Sequence, residues 1–323
     1  MPFRLLAIDG GGIRGLIPAT VLQELERVAG RPTHELFDLV VGTSTGAVLS
    51  LGLNVPGPDG GPRYSAEELR TLYIEEGPNI FSRSLAYRVR SGNGVTNAKY
   101  PATGIEEVLE RYFGDTRLSE ALGDVLVTAY ETELREPFLL RSRRARTEDE
   151  AEFAMRDAAR ASTAAPTFFS PALVTGADGS PWSLIDGGVY ANNPTMVGVV
   201  EAMAAYDSLD VLSLSLGTGD LTRPLPHRRI RSWGLLQWAR PLIDIVFDGV
   251  SSTVDFQAEQ LARVTREVAE HVRFDARLDD VSDDIDDTSS ANLRALRALA
   301  DGLVADRAGE IERLAEALVD GGS

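Results

Sequence analysis

The chain has 323 residues, no cysteine and a formal net charge of −17, from 32 basic and 49 acidic side chains. The lack of cysteine excludes disulfides, a thiolate nucleophile and cysteine-ligated metals, and the acidic balance disfavours nucleic acid as a partner. No uncharged apolar run reaches the length of a membrane span and the N-terminus has no signal-peptide pattern, so we expect a cytoplasmic protein.

The first landmark along the chain is a strand followed by a glycine loop. Residues 3–8 have the pattern of a strand, Gly10, Gly11 and Gly12 follow, and apolar residues recur at helical spacing over residues 16–28. In such a loop the unpaired amides and the positive end of the helix dipole stabilise an anion. The loop therefore predicts a site for an oxyanion or a phosphate.

Two chemistries can use this loop. Gly10, Gly12 and Gly15 match the dinucleotide fingerprint G-x-G-x-x-G, which requires an acidic residue at the end of the second strand to hold a ribose. Asp38 lies at the start of that strand instead. An oxyanion hole for acyl transfer is therefore favoured, with a nucleotide-binding module as the alternative.

The second landmark is a serine at a turn between a strand and a helix. Residues 37–41 form an apolar run of strand length, and the next five residues read G-T-S-T-G, ahead of a buried helix. Gly42 and Gly46, two positions before and after the serine, let strand and helix approach closely, which exposes the hydroxyl at the end of the strand. Ser44 is therefore the candidate nucleophile.

The segment after this helix contains weaker signals. Residues 79–101 are polar and contain glycine, which fits either a mobile lid or a packed surface excursion. Residues 124–130 and 137–140 have the pattern of strands. Phe168 and Phe169, which follow an alanine-rich helix, fit an acyl groove and plain core equally well.

The third landmark is an acidic residue at the end of a predicted hairpin. Residues 172–185 resemble two strands joined by a glycine-containing turn, and they end at Asp186, Gly187 and Gly188. Taken alone, an Asp-Gly pair indicates turn chemistry more readily than catalysis. At the end of a strand, Asp186 is also a candidate base for the serine.

In this order and spacing, the landmarks resemble the motifs of the patatin-like phospholipases. The residues that carry the resemblance are the oxyanion motif Gly10–Gly15, the nucleophile motif Gly42–Gly46, the aspartate motif Asp186–Gly188 and the Ala-Ala-Pro segment Ala164–Pro171. Three ordered motifs and a fourth segment are far more specific than any one of them. They cover about residues 3–220.

The resemblance implies a lipid acyl hydrolase of the phospholipase A or lysophospholipase type. Ser44 would attack the ester carbonyl, Asp186 would be the base of a Ser-Asp dyad, and the backbone of Gly11 and Gly12 would stabilise the oxyanion. Neither a metal nor a cofactor is implied. The remaining motif residues would support this machinery, namely Gly10, Arg14, Gly15, Gly42, Gly46, Gly187 and Gly188.

A Ser-His-Asp triad remains an alternative to the dyad. The chain has three histidines, and a hydrolase triad with the usual chain order needs one after the acid. His34 precedes the serine, whereas His227 and His271 follow Asp186. Neither of these two lies at a glycine-bounded strand end, so we predict that they are surface residues.

Strands alternate with helices through most of the chain, and residues 211–219 add a core strand that ends in glycines. This pattern predicts an α/β fold, with three layers α/β/α and a mostly parallel central sheet. We expect a single patatin-like acyl hydrolase domain over residues 1–323. It would comprise a motif-bearing core over residues 3–220 and a helical extension over residues 230–323.

Two segments of the extension have alternative interpretations. Residues 233–247 are apolar but interrupted by charges, which fits either a helix packed on the sheet or a lipid-facing surface that makes peripheral membrane contact. Residues 279–287 are rich in aspartate but lack the glycine and terminal glutamate of a calcium loop, which predicts a solvated linker. The sequence contains no signal for an oligomeric state.

Overall fold

The computed structural model describes residues 2–91, 97–208, 210–220, 223–264 and 268–320. Within these ranges, eight strands form one sheet. The strands are β1 (Phe3–Ile8), β2 (Leu39–Thr43), β3 (Val125–Glu131), β4 (Glu136–Arg141), β5 (Ala172–Thr175), β6 (Pro181–Asp186), β7 (Val211–Leu216) and β8 (Val268–Phe274).

The order of the strands is β5-β6-β3-β2-β1-β7-β8, and β4 also pairs with β3. The neighbours β3-β2, β2-β1, β1-β7 and β7-β8 are parallel, whereas the pairs that involve β4, β5 or β6 are antiparallel. The sheet is therefore mostly parallel, with antiparallel strands at one side. In such a sheet the ends of the parallel strands meet along one edge, where ligands bind.

The described residues form fourteen α-helices. They are α1 (Leu16–Ala29), α2 (Thr33–Leu36), α3 (Thr45–Gly52), α4 (Ala66–Ile80), α5 (Leu85–Arg90), α6 (Thr103–Phe113), α7 (Ser142–Ala145), α8 (Met155–Ser162), α9 (Gly188–Ala191), α10 (Thr195–Tyr206), α11 (His227–Ile230), α12 (Leu235–Val264), α13 (Ser290–Asp306) and α14 (Ala308–Asp320). No helix of the described residues is both long and apolar enough to cross a bilayer.

Alternate side chains of β1 point to opposite faces of the sheet, as the period of a strand requires. Leu6 and Ile8 belong to the larger core, which also contains buried residues of α1, α3, α4, α8, α13 and α14. Leu5 belongs to a smaller core with Val199 of α10, against which Leu261 of α12 packs. Helices thus cover both faces, and the expected three-layer α/β/α fold is confirmed.

The C-terminal part differs from the helical extension that we expected. It supplies β8, which extends the parallel sheet beside β7, while α13 and α14 both pack on α1. The alternation of polar and apolar residues over 271–274 is the short signal that could have indicated this strand.

Residues 279–287 are not the solvated linker that their charge predicted. The carbonyl of Ile285 accepts a 2.9 Å hydrogen bond from the amide of Ile13. Asp286 is buried, and its Oδ2 accepts hydrogen bonds from the side chains of Lys99 and Tyr100. The segment therefore packs against the glycine loop.

Helix α12 packs on α9 and β8, and Leu235 and Leu242 are exposed. The lipid-facing interpretation of residues 233–247 stays a prediction. In the segment that could form a lid, α5 is short and residues 92–96 lie outside the described residues. After them, the amides of Lys99 and Tyr100 donate to the carbonyls of Thr167 and Phe168. The lid stays a prediction.

Candidate active site

Ser44 lies on the turn between β2 and α3. Its φ of +54° is one that non-glycine residues seldom adopt, and a conformation of this kind costs on the order of 1–3 kcal/mol. A Cβ on Gly42 would lie 2.3 Å from the carbonyl oxygen of Gly46, and one on Gly46 would lie 2.1 Å from that of Ile8. Only glycines allow this approach of strand and helix, as the sequence predicted.

Hydrogen bonds from distant parts of the chain hold this turn. The amide of Ser44 donates to the hydroxyl of Ser162 at 2.8 Å. The Thr43 hydroxyl donates to the carbonyl of Ala191 at 2.6 Å and lies 2.7 Å from the Thr128 hydroxyl. The strained backbone is thus fixed by buried polar contacts, which keep the serine in place.

Asp186 is the last residue of β6, and the register of the sheet brings it to the serine. Thr43 pairs with Thr128 of β3, and Asp186 pairs with the next residue of β3, Ala129. Strand β2 runs parallel to β3 and β6 runs antiparallel to it. The carboxyl ends of β2 and β6 therefore meet along β3, with Ser44 and Asp186 at the junction.

The Asp186 carboxyl group is completely buried. Its Oδ1 accepts a 2.7 Å hydrogen bond from the amide of Gly188, whereas its Oδ2 has no hydrogen-bond partner among the described residues. Burial raises the pKa of Asp186 to about 7, while the Gly188 amide and the nearby Ser44 hydroxyl favour the ionised form. One oxygen of the carboxylate is therefore available to accept a proton from a neighbour.

The glycine loop lies directly beside the serine. A Cβ on Gly10 would be 3.3 Å from the Cβ of Ser44. The amide of Gly10 donates to the carbonyl of Asn192 at 3.0 Å, and the carbonyl of Gly10 accepts from the Thr218 hydroxyl at 2.6 Å. Contacts from the chain segments after β6 and β7 therefore fix the start of the loop.

The rest of the loop presents free amides. Neither the Gly11 nor the Gly12 amide donates to a backbone or side-chain acceptor among the described residues. The carbonyl of Gly11 accepts from Nε of the buried Arg14 at 3.3 Å, which turns this peptide. Two adjacent N–H donors near a hydroxyl are the arrangement that stabilises a developing oxyanion.

An apolar cavity opens at Ser44 and the glycine loop. Phe168 and Phe169 are buried and also line this cavity, so they are core and cavity wall at the same time. Apart from the loop and Ser44, aliphatic and aromatic side chains form most of the lining. These include Ile13, Val48, Leu72, Ile80, Phe81, Ile105, Val108, Leu109, Phe247 and Ile285.

None of the histidines reaches Ser44 or Asp186 by a hydrogen bond in the described part of the chain. His271 lies on β8, three strands from β2, which corresponds to about 14 Å at the usual spacing of strands. Its Nε2 lies 3.2 Å from Oδ1 of Asp255, and its side chain is only 2% exposed. The predicted surface position is therefore wrong for His271, whereas His34 and His227 lie on the short helices α2 and α11.

Asp38, which lies at the wrong end of its strand to hold a ribose, is also engaged by another side chain. Asp38, at the start of β2, forms an ion pair with Arg4 at 2.6 Å. Within the described residues, no group of three or more histidine or acidic side chains is placed to hold a metal ion.

Sequence reasoning missed two residues that close the site. Phe247 from the middle of α12 and Ile285 from the aspartate-rich segment both line the cavity. Their only sequence signal is an apolar residue among charges. This signal does not reveal which distant surface the residue contacts.

Comparisons with known proteins identify a family that this chain matches. Residues 6–199 match the family model described as patatin-like phospholipase. The chain is 29% identical to patatin-like protein 1 of Oryza sativa subsp. indica, with 95% of this chain and 82% of the relative aligned. It is also 29% identical to patatin-like protein 2 of Arabidopsis thaliana, over 93% and 82% of the two chains.

Among solved structures, VipD from Legionella pneumophila aligns with 94% of this chain and 67% of its own. The identity is 12% and the TM-score is 0.39. This TM-score is too low to support a conclusion about the present chain.

Proposed function

Because the chain belongs to the patatin-like phospholipase family of lipid acyl hydrolases, we propose that it cleaves carboxylic esters of lipids through an acyl-enzyme on Ser44. The observation that carries this proposal is the meeting of three groups from distant parts of the chain. The strained Ser44 and the two free amides of the glycine loop line one apolar cavity. The buried carboxyl group of Asp186 lies beside the Ser44 hydroxyl, which favours its ionised form.

In the proposed first step, Ser44 Oγ attacks the ester carbonyl carbon while Oδ2 of Asp186 accepts the hydroxyl proton. A serine hydroxyl is a weak nucleophile without such a base. Burial that raises the pKa of Asp186 to about 7 makes it a stronger base than an exposed carboxylate. The carbonyl oxygen gains the negative charge.

The amides of Gly11 and Gly12 would donate to this oxyanion. Their lack of other acceptors means that no existing hydrogen bond has to break when the charge develops. The helix that begins at Leu16, just beyond the loop, adds the positive end of its dipole. Removing one donor of this kind from a hydrolase typically slows turnover about 100-fold to 1000-fold.

The tetrahedral intermediate then collapses. The bond between the carbonyl carbon and the alcohol oxygen breaks, and Asp186 returns its proton to the leaving alcohol. In the second half, Asp186 takes a proton from water as the water attacks the acyl-enzyme, and then gives it to Ser44 Oγ as the fatty acid leaves. Each proton is accounted for without a histidine.

The apolar cavity supports a lipid or lysophospholipid substrate. A fatty acyl chain that enters it leaves water, and each buried methylene group is worth about 0.8 kcal/mol. Short polar esters would gain little from these walls. We therefore propose that the cavity holds the acyl chain during both steps.

The proposal extends to the whole chain as one functional unit. Residues 1–323 would act as a single patatin-like acyl hydrolase domain, because β8 belongs to the same sheet as the motif-bearing strands and α13 and α14 pack on α1. The cytoplasmic location and the peripheral membrane contact stay predictions.

A fluorophosphonate probe tests the proposal directly, because it reacts with activated serines. We expect stoichiometric labelling, with the label on the peptide that contains Ser44, and loss of labelling in Ser44→Ala. Labelling of a different serine, or none in a folded protein that also fails to cleave p-nitrophenyl esters, would overturn the proposed function.

A further inference from the structure

A second cleft adjoins the apolar cavity. Phe247 and Ile285 line both of them. In contrast to the cavity, the walls of the cleft are mainly polar and charged. We call it the acidic cleft, because six aspartates line it, namely Asp9, Asp220, Asp244, Asp248, Asp275 and Asp283.

Two arginines line the cleft, Arg14 and Arg273, and a third, Arg223, pairs with Asp283 at 2.9 Å. Three arginines do not balance six carboxylates. The Arg273 guanidinium is engaged by Asp9 at 2.8 Å and by Asp275 at 2.5 Å. Asp220 and Asp248 have no ion-pair partner in the part of the chain that the structure describes. The cleft therefore carries an excess of negative charge.

Burial and a neighbouring carboxylate both act on the pKa values of two aspartates in the cleft. Burial raises the pKa of Asp248, Arg14 opposes the shift, and the nearby Asp275 adds to it. For Asp220, burial and then Asp275 raise the pKa. A positive charge placed in the cleft would relieve both carboxyl groups.

Two polar side chains that line the cleft have unused hydrogen-bonding atoms. Arg14 and Asn192 are each 6% exposed. Neither Nη1 of Arg14 nor Oδ1 of Asn192 has a hydrogen-bond partner among the described residues. A buried donor or acceptor left without a partner costs about 1–3 kcal/mol. A ligand oxygen that the Arg14 side chain turns to meet would recover part of this free energy.

One residue that lines the cleft, Asn192, lies close to the backbone beside the reacting serine. Asn192 Nδ2 donates to the carbonyl of Gly10 at 3.4 Å. A Cβ on Gly10 would lie 2.4 Å from Oδ1 of Asn192 and 3.3 Å from the Cβ of Ser44. A lipid whose acyl chain occupies the apolar cavity can therefore extend its alcohol portion into the acidic cleft.

From these contacts we propose that the acidic cleft binds the headgroup of the lipid substrate and selects headgroups that carry an ammonium group. The ammonium lies among the carboxylates of Asp220, Asp244 and Asp248, and the free N–H of Arg14 donates to an oxygen of the same headgroup. This inference rests on the proposed function. It adds the class of lipid: zwitterionic headgroups are preferred over anionic headgroups and over uncharged sugars.

Binding of soluble headgroups tests the cleft without any turnover. The probes are glycerophosphoethanolamine, glycerophosphoglycerol and galactosylglycerol, titrated into the full chain by calorimetry. We expect the first to bind at least tenfold more tightly than the other two. Equal binding of all three, or tighter binding of either of the others, would overturn the selection of an ammonium group.

Substitutions in the cleft test whether its carboxylates cause the headgroup preference. Asp244→Asn combined with Asp248→Asn removes two carboxylates from α12, and we expect the tenfold preference to fall below threefold. The combination of Glu312→Gln and Glu316→Gln removes two exposed carboxylates with the same spacing from α14, and we expect it to keep the preference. Equal losses in both double variants would indicate a general effect of net charge and contradict the proposal.

A further variant tests the cleft without any change in α12, so misfolding of that helix cannot explain its result. Asp220→Asn removes a carboxylate that lies after β7, and we expect it to weaken glycerophosphoethanolamine binding at least threefold with an unchanged unfolding transition. Unchanged binding in a folded Asp220→Asn protein would also count against the proposal.

Kinetics separate this inference from the proposed function. Phosphatidylethanolamine and phosphatidylglycerol with identical acyl chains are compared in mixed micelles with an uncharged detergent, and we expect at least a fivefold preference for the first in kcat/KM. Equal rates would leave the hydrolase in place and overturn the headgroup selection. Absence of hydrolysis for every lipid and ester would overturn the proposed function, while headgroup binding would still be measured.

Discussion

The amide of Ile13 donates a 2.9 Å hydrogen bond to the carbonyl of Ile285, which joins the glycine loop to the C-terminal part of the chain. Gly12 lies beneath this contact with a φ of +59°, and a Cβ at this position would be 2.2 Å from the Ile285 carbonyl oxygen. The position of the two free amides therefore depends on a segment that lies outside the three sequence motifs.

Replacement of Gly12 by alanine should displace this loop. We expect Gly12→Ala to lower kcat/KM for p-nitrophenyl butyrate by about 100-fold or more, because the clash moves the amides away from the oxyanion. Initial rates, combined with a thermal unfolding curve for the same preparation, measure the effect.

Gly30→Ala is the matched control. Gly30 also has a positive φ, of +64°, but a Cβ there would meet nothing within 4 Å. It should cost about 1–2 kcal/mol of stability for the left-handed backbone and leave the rate unchanged. If both variants lose activity equally, general destabilisation explains the loss and the role of the loop amides is wrong.

The dyad makes a separate prediction for two side chains. Ser44→Ala and Asp186→Asn should each reduce ester hydrolysis at least 1000-fold, because one removes the nucleophile and the other the base. The unfolding transition should persist in both variants. Among the described residues the Asp186 carboxyl group forms no ion pair, so its replacement by an amide leaves no buried positive charge without a partner. Stopped assays with high enzyme concentration measure the residual rate.

Histidine variants decide between the dyad and the triad. His227→Gln and His271→Gln should keep the wild-type rate within about twofold, because neither residue reaches the dyad. An active Asp186→Asn protein would contradict the dyad mechanism. Loss of activity in either histidine variant with its fold intact would favour the triad.

The pH dependence of activity follows from the buried carboxyl group. Burial raises the pKa of Asp186 from its ordinary 3.8 to about 7, and only the ionised form can accept the serine proton. We therefore expect kcat/KM to rise about tenfold per pH unit below pH 7 and to level off above it. Release of p-nitrophenol, read at its isosbestic wavelength, measures this profile. A flat profile between pH 5 and 8 would exclude Asp186 as the base.

The free energy of unfolding should change in the opposite direction to the activity over the same pH range. Between pH 4 and 7 the folded protein holds a proton on Asp186 that the unfolded chain releases, so the free energy of unfolding falls as pH rises through this window. Burial raises the pKa of Asp9 to about 7 as well, and Asp9 adds to the same slope. The difference between wild type and Asp186→Asn in urea unfolding isolates the contribution of Asp186, and we expect a shallower slope in the variant.

The parts of the site that could be predicted from sequence are those with local causes. The Gly42 and Gly46 positions follow from the close approach of one strand to the next helix, and this geometry is encoded within a few residues. The same holds for Ser44 and for the hairpin that ends at Asp186. Here the sequence pattern and the structure agree, because the neighbours in space are also neighbours in the chain.

The parts that could not be predicted depend on distant partners. Asp286 has the sequence context of a solvated residue, yet the side chains of Lys99 and Tyr100 bind it in the interior. His271 resembled a surface residue until β8 was placed beside β7, where the Ser213 hydroxyl and Asp255 contact its ring. Local charge predicts solvation only when no distant partner compensates it, and the pairing itself cannot be deduced from the sequence.

The apolar cavity makes a prediction about acyl chain length. Val48 of α3 lines the cavity close to Ser44, and Val48→Phe would place a ring where about two methylene groups of a substrate could lie. At about 0.8 kcal/mol per methylene, the ratio of kcat/KM for p-nitrophenyl dodecanoate over butyrate should fall roughly 15-fold. The butyrate rate serves as the internal reference, because a short ester reports whether the Ser44–Asp186 dyad still works.

Val200→Phe provides the comparison, because Val200 of α10 is 55% exposed and the same ring there points away from the core. This variant should keep the wild-type ratio of the two rates. A folded Val48→Phe protein with an unchanged ratio would mean that the acyl chain binds elsewhere. A ratio that falls in both variants would trace the effect to the added apolar surface rather than to the cavity. Selective loss of the long ester in Val48→Phe alone would identify the cavity as the acyl site, since only there does the ring compete with the chain for buried volume.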